Sequence, residues 1–403
     1  MDDIGLYDCP MPESFRDKIG LTLSLAWLFY LGFVTRVIFG PLMPQIRQDL
    51  GLGNGDVGYL FLMITIGYTI APLFSGYISS RLYHSGTLRL SAWLLGVVLL
   101  PFMFVNSFWA MSLVLMVIGF TGFLHLPSAI ATITAEIQKS DWGKGLGVHQ
   151  CAPPLAFVTA PLIAALMLNW FSWRVILLSW AVLSLVSALV FTVSSEGGAF
   201  PGRPLNPGNV KRVVSLPSFW LLALLLGMGM AGNAGILSML PLFFVTERGF
   251  DLGLANSLIG FSQLSGFVVV FFAGIVADKV GHRKFMCFTL SSAALLTVSI
   301  GFLTGWPLVI ALIIQPAVLT PFFPAAFGAL ARVAHPTLRS VTSAIGPPLG
   351  FLVGAGGIPM LIAQVAEHRS FGLGIVITGI FMLTGVPLVY FLRLGDYDDE
   401  AGC

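Results

Sequence analysis

The chain has 403 residues, 57% of them hydrophobic and only 9% charged, with a mean hydropathy of +0.92 and a formal net charge of +2. Too few polar residues remain to coat a soluble fold of this length, and the Lys and Arg residues are too dispersed for a nucleic-acid footprint. Cys9 and Cys403 lie near the termini while Cys151 and Cys287 fall in apolar runs, so neither a disulfide framework nor a Cys-x-x-Cys metal pair is present.

Each membrane crossing takes about 20 apolar residues, so the length accommodates roughly twelve helices. Helices are required because each satisfies its own backbone, and the runs are too long and uniformly apolar for barrel strands. A tail over residues 1–19 carries Asp2, Asp3, Asp8 and Glu13, which spoil the basic start of a signal peptide, so the run after Lys18 reads as a retained first helix. Helices are expected at 20–44, 56–80, 88–106, 108–136, 145–169 and 173–194, then at 217–246, 254–277, 286–304, 307–333, 341–366 and 371–392. The division is therefore an amino-terminal six-helix bundle (20–194), a Gly- and Pro-rich linker (195–215), a carboxy-terminal six-helix bundle (216–393) and a tail (394–403).

Orientation follows from the basic residues. With both termini inside, Arg16, Lys18, Arg81, Arg89, Lys139, Lys144, Arg203, Lys211, Arg212, Lys279, Arg283, Lys284, Arg332, Arg339 and Arg393 fall on the cytoplasmic side. The outer side keeps only Arg47, Arg174, Arg248 and Arg369, which is the asymmetry of the positive-inside rule. The expected location is the cell inner membrane, with both termini cytoplasmic and the linker on the same side. The one basic residue left over is Arg36, inside the first helix.

The two halves repeat at an offset of about 194 to 198 positions. Gly76 to Arg81 matches Gly274 to Lys279, Pro44 and Gly51 match Pro241 and Gly249, and Pro127 matches Pro324. Pro153-Pro-Leu-Ala-Phe157 in the fifth helix matches Pro347-Pro-Leu-Gly-Phe351 in the eleventh.

Gly274-x-x-x-Asp278-Lys279-x-Gly281-x-Arg283-Lys284 resembles the signature that follows the second helix of a half in the major facilitator superfamily of secondary transporters. The resemblance extends over essentially the whole chain and includes Gly119, Gly122 and Pro127 in the fourth helix and Trp173-Arg174 at the start of the sixth. The first-half copy is degenerate: Ser80 replaces the acid, and extra residues precede Gly86. The resemblance implies an all-α integral membrane fold of twelve helices in two pseudo-symmetric bundles that rock about a central substrate site.

Arg36 is the sharpest local clue, because a guanidinium near mid-membrane is costly unless it faces a partner or water. Its planar fork of donors matches an oxyanion, so a small anion is the favoured substrate; a structural, helix-bridging arginine is the plainer reading. The repeat offset carries position 36 to Asn233 in the seventh helix, which offers a donor and an acceptor across the cavity or simply bonds a neighbouring helix. His125 and His149 titrate near neutral pH and are candidates for proton coupling, His125 also for substrate contact; each is otherwise a packing histidine. Tyr30, Tyr68, Gln263, Gln315 and Phe322 are candidate cavity residues by depth. Asp278, Lys279, Arg283, Glu136 and Arg81 are candidates for an inner gate, with Glu136 near Arg81 or Arg89 and Asp278 near Lys144, or else are interfacial orientation charges.

No Asp or Glu lies near mid-membrane, and the fifth helix lacks the Gly-Pro-x-x-Gly-Gly pattern of facilitator antiporters, which favours anion symport over drug export. Gly227-Met-Gly229-Met-Ala-Gly232 sits inside an apolar helix with no preceding strand, so close helix packing explains it better than a dinucleotide. There is no His-Glu-x-x-His or Gly-x-Ser-x-Gly motif. The sequence thus predicts a non-enzymatic, monomeric transporter of a small anion, working with protons and without cofactor, metal or nucleic acid. An efflux permease and a non-transporting receptor or scaffold are the alternatives.

Overall fold

The computed structural model describes residues 13–392, leaving aside the side chains of residues 274, 275, 278, 331, 336 and 340. Nearly all of it is helical because each Leu-, Phe- and Ala-rich run closes its own backbone hydrogen bonds, and side chains then finish the ends. Asp251 accepts from the Gly253 and Leu254 amides at the start of the eighth helix, and Ser370 accepts from Leu373 at the start of the twelfth.

Among the described residues, eleven continuous helices are long and apolar enough to cross a membrane. One of them, Asn54–Leu99, is broken at Tyr83, whose φ of 60° is not helical, so the second and third helices occupy 54–82 and 84–99 and the crossings number twelve. The first helix runs Ile19–Leu50, the fourth Phe108–Glu136, the fifth Lys139–Met167 and the sixth Trp173–Ser194. A short linker helix, Pro207–Val214, precedes the second bundle. There the seventh helix is Pro217–Glu247, the ninth His282–Phe302, the tenth Gly305–Leu330, the eleventh Val341–His368 and the twelfth Phe371–Phe391. The eighth is Leu252–Val280.

The turn between the second and third helices corrects one sequence expectation. The first-half copy of the signature has no extra residues before its turn: at the offset that matches Gly76 to Gly274, Tyr83 stands where the second half has Gly281, and both have positive φ, 60° and 92°. Gly86 is an ordinary helical residue. A glycine takes this conformation without steric cost, whereas a tyrosine is strained in it.

Beneath that turn runs the linker, on the face of the molecule called here the linker face. Carbonyls of Phe200 and Gly198 accept from the His84 and Ser85 amides at 3.1 and 2.9 Å, satisfying the donors that the start of the third helix leaves over. Gly202 returns an amide to the Ser79 carbonyl at 3.1 Å.

Among the described residues, hydrogen bonds between the bundles run from the opposite, far face to mid-depth. At the far face Glu367 of the eleventh helix accepts from the Asn54 and Gly55 amides at 2.8 and 3.2 Å, at the positive amino end of the second helix. Asn256 of the eighth helix donates to the Pro41 carbonyl at 3.2 Å. Deeper, the Thr65 and Thr69 hydroxyls lie 3.2 Å from the Ala355 and Pro348 carbonyls, each sharing its one proton with a nearer carbonyl of its own helix, Phe61 at 2.7 Å and Thr65 at 2.8 Å.

The seventh and eleventh helices each contain a π-helical turn, Ala231–Gly235 and Leu352–Gly357, and the two turns face one another. Glycine allows this approach: a Cβ on Gly235 would collide with the Gly354 carbonyl, and one on Gly354 with the Gly227 carbonyl. Gln315 supports the same region, donating to the Gly232 carbonyl at 2.8 Å and to Thr297 Oγ1 at 3.3 Å.

Candidate substrate site

The first helix places Arg36 just before its turn at Ile38, at mid-depth and at the junction of the bundles. The side chain is only 7% exposed, and its guanidinium carbon lies 5.2 Å from the ring centres of both Tyr68, on the second helix, and Phe351, on the eleventh. Two aromatic faces therefore hold the cation, one from each bundle. Arg36 Nε and Tyr68 Oη are both buried without a hydrogen-bond partner. One donor of the planar fork is thus left without an acceptor in the interior, a costly arrangement until one arrives.

A cavity of about 10 Å³, room for a single water, adjoins the guanidinium. Phe61, Ile64 and Phe157 form its first-bundle wall, and Leu237 and Ser238 of the seventh helix close the other side. Asn233 lies on the π turn next to Ala234, which touches the same cavity, and its Oδ1 is buried without a partner. A solute larger than water enters only if the bundles part.

Two of the three buried histidines, His125 and His149, come together. His125 Nε2 and His149 Nε2 are 3.5 Å apart, 3% and 0% exposed, with nearly parallel rings. His149 Nδ1 is buried without a partner. The His149 ring lies flat on Phe29, centre to centre 4.7 Å.

Phe29, Phe33 and Arg36 follow one another along one face of the first helix. Phe29 meets Phe33 at 5.8 Å, Phe33 meets Tyr68 at 6.4 Å, and Tyr68 meets Arg36. An unbroken aromatic column therefore joins the histidine pair to the guanidinium.

Other candidates sit elsewhere. Tyr30 donates to or accepts from Thr159 at 2.8 Å, stacks on Trp27 and abuts Trp180, so it belongs to the packing of the first, fifth and sixth helices and not to the Arg36 cavity. Gln315 is committed to Gly232 and Thr297, and Phe322 is fully buried against Gly229. Gln263 is half-buried on the eighth helix. Glu136 pairs with Lys18 at 3.4 Å and accepts from the Gly198 amide at 3.0 Å, so its partners are not Arg81 or Arg89; Arg81 lies over the Tyr77 ring. Lys144 pairs with Asp141 at 2.7 Å, Arg283 donates to the Leu392 carbonyl, and Lys279 is exposed. The side chain of Asp278 lies outside the described residues.

Sequence reasoning missed Phe157, Phe351 and Glu367. The first two were marked by the repeat, since they end its matched Pro-Pro-Leu-x-Phe segments, and the structure puts both beside Arg36. Glu367 carries no sequence signal beyond its place at a helix end.

A family model described as Major Facilitator Superfamily matches residues 23–358. The membrane sensor protein UhpC of Salmonella typhimurium is 24% identical, with 68% of each chain covered. The cis,cis-muconate transport protein of Acinetobacter baylyi is 22% identical over 96% of this chain and 98% of its own. Among solved structures, a bacterial homolog of the human lysosomal transporter Spinster, inward-facing and unoccupied, superposes with a TM-score of 0.81 at 13% identity, covering 94% of this chain and 98% of that one. A D-xylose-proton symporter superposes with a TM-score of 0.78 at 15% identity, covering 94% and 98%. With more than half of its length matched by the family model, the chain belongs to the Major Facilitator Superfamily, a family of multi-pass membrane transporters and not of enzymes.

Proposed function

We propose that the chain carries a small anion across the membrane together with protons, by alternating access, with Arg36 as the anion contact. The observation that carries this reading is the buried guanidinium at the bundle junction, with an unpartnered Nε and aromatic contacts from both bundles. An anion docking there supplies the missing acceptors and draws on Tyr68 of one bundle and Phe351 of the other, which couples occupancy to their separation. The His125–His149 pair is the proton site: a second proton would set two cations 3.5 Å apart in a dry interior, so the pair takes up one at a time. The aromatic column from Phe29 to Tyr68 gives the proton and the anion a shared element, the first helix, to act on.

The linker face is assigned to the cytoplasm on the distribution of Lys and Arg. The half-to-half hydrogen bonds from Glu367 down to Thr69 support a state closed at the far face.

The test is flux into proteoliposomes across an imposed pH gradient, read for a panel of small anions. Anion uptake that acidifies the lumen, and that Arg36→Gln removes while the variant still inserts and unfolds cooperatively, supports the reading; uptake by a folded Arg36→Gln protein ends it. A second reading, a sensor that binds without transporting, is favoured by the relative named as a membrane sensor. It predicts saturable binding with no flux.

A further inference from the structure

We propose that the solute at Arg36 is a monocarboxylate with an apolar body, and not a polyhydroxylated acid, a phosphate or a dicarboxylate. The inference rests on the anion reading above and narrows it. Two features of the cavity carry it.

The first is charge. Arg36 is the one buried cation at the junction among the described residues, and the seventh helix offers the amide of Asn233 where a second cation would stand by the repeat. One guanidinium neutralises one negative charge. The second charge of a dianion would stay unpaired in a dry interior, where burial of an uncompensated ion is strongly disfavoured. The histidine pair does not fill this role, because it lies two helical turns away, about 10 Å along the first helix.

The second is the wall. Phe61, Ile64, Phe157 and Leu237 present only carbon, and Ser238 already gives its proton to the Ala234 carbonyl at 2.7 Å, which leaves it an acceptor. A solute bearing several hydroxyls would lose its water and recover few hydrogen bonds. Each unsatisfied hydroxyl costs on the order of tenfold in affinity. An arene or alkyl body fits the same wall without that loss and keeps its carboxylate for the guanidinium fork.

The experiment compares four probes on the full-length protein in lipid nanodiscs by calorimetric titration: benzoate, gluconate, succinate and inorganic phosphate, with benzyl alcohol as the uncharged counterpart of benzoate. Benzoate and gluconate carry the same charge, so their ratio reads the wall alone. Benzoate is expected to bind at least tenfold more tightly than gluconate, with succinate, phosphate and benzyl alcohol showing no saturable binding. Gluconate, succinate or phosphate binding as tightly as benzoate, or no saturable binding of benzoate, overturns the proposal. Binding of the favoured anion that Arg36→Gln abolishes leaves the anion reading intact whichever anion that is. Benzoate binding undiminished in Arg36→Gln, or benzyl alcohol binding as well as benzoate, removes the anion reading itself. Should Arg36→Gln fail to insert, Arg36→Lys keeps the charge without the fork and is expected to weaken benzoate about tenfold, while equal affinity overturns the guanidinium contact.

Discussion

In the first bundle three ionisable side chains, Arg36, His125 and His149, are buried on or against one face of the first helix. In the second bundle the buried polar side chains are all uncharged among the described residues: Asn256, Gln315 and a set of serines and threonines. The backbones repeat, yet the chemistry does not. One bundle holds what can bind an ion or a proton, and the other contributes surface: the Phe351 ring, the Leu237 and Ser238 wall, and two π turns pressed together through glycine. Substitutions of charge should therefore be felt in the first bundle and substitutions of shape in the second.

The largest expected effect breaks the contrast at its centre. On the proposed anion reading, Arg36→Gln should remove a charge-assisted, two-pronged contact of about 3 to 5 kcal/mol, a loss of roughly 100-fold or more in anion affinity. Asn233→Ala, at the pseudo-equivalent position, leaves one fewer unpartnered amide and should change affinity by less than about tenfold. Titration of both variants with one anion decides it. Equal losses would mean that the two bundles share the recognition.

Next in size is the proton. His149→Gln and His125→Gln should each stop substrate-driven proton movement, since either change leaves one imidazole without its 3.5 Å partner, yet shift anion affinity by less than about tenfold because Arg36 is untouched. A pH-sensitive dye inside proteoliposomes reads the first effect and equilibrium binding the second. Proton movement persisting in both variants would place the coupling site elsewhere.

The parts of this division that the sequence made legible were those with a one-dimensional signal. Twelve apolar runs, the basic residues that flank them and the repeated Pro-Pro-Leu-x-Phe segments are all readable along the chain, and Arg36 stands out because charge is so rare at that depth. Pairings set by helix rotation are not readable in this way. His125 and His149 lie on different helices, and only the packed bundle shows that their rings meet on Phe29. Tyr30 has the depth of a cavity residue but faces the fifth and sixth helices, six positions from Arg36 and on another side of the same helix. For Glu136 the sequence points to Arg81 or Arg89, whereas its partners, Lys18 and the Gly198 amide, come from the two segments of irregular chain beneath the bundle.

A smaller effect is expected where the bundles are tied at the far face. Glu367 accepts two amides at the amino end of the second helix, so Glu367→Gln keeps an acceptor but loses the interaction of charge with the helix end, about 0.3 to 1 kcal/mol. That shifts a two-state balance by about two- to fivefold toward opening at the far face. Labelling of a cysteine introduced near Tyr59, which lines the far-face cleft beside Glu367, measures it. Unchanged labelling would make this contact incidental to closure.

The smallest expected effect tests the two matching turns. Tyr83 and Gly281 occupy equivalent positions with positive φ, but only glycine does so freely; the left-handed region costs other residues roughly 1 to 2 kcal/mol. In the first half the linker compensates, since Phe200 and Gly198 bind the His84 and Ser85 amides directly after the strained residue. Tyr83→Gly should relieve the strain while leaving those bonds in place. It should raise the thermal midpoint in detergent by one or two degrees, on the order of 1 kcal/mol, and Gly281→Tyr should lower it by a similar amount. A Tyr83→Gly protein no more stable than the parent would show that the tyrosine ring contributes packing equal to its strain. The first-half turn would then be a different structure that happens to share a dihedral angle with the second.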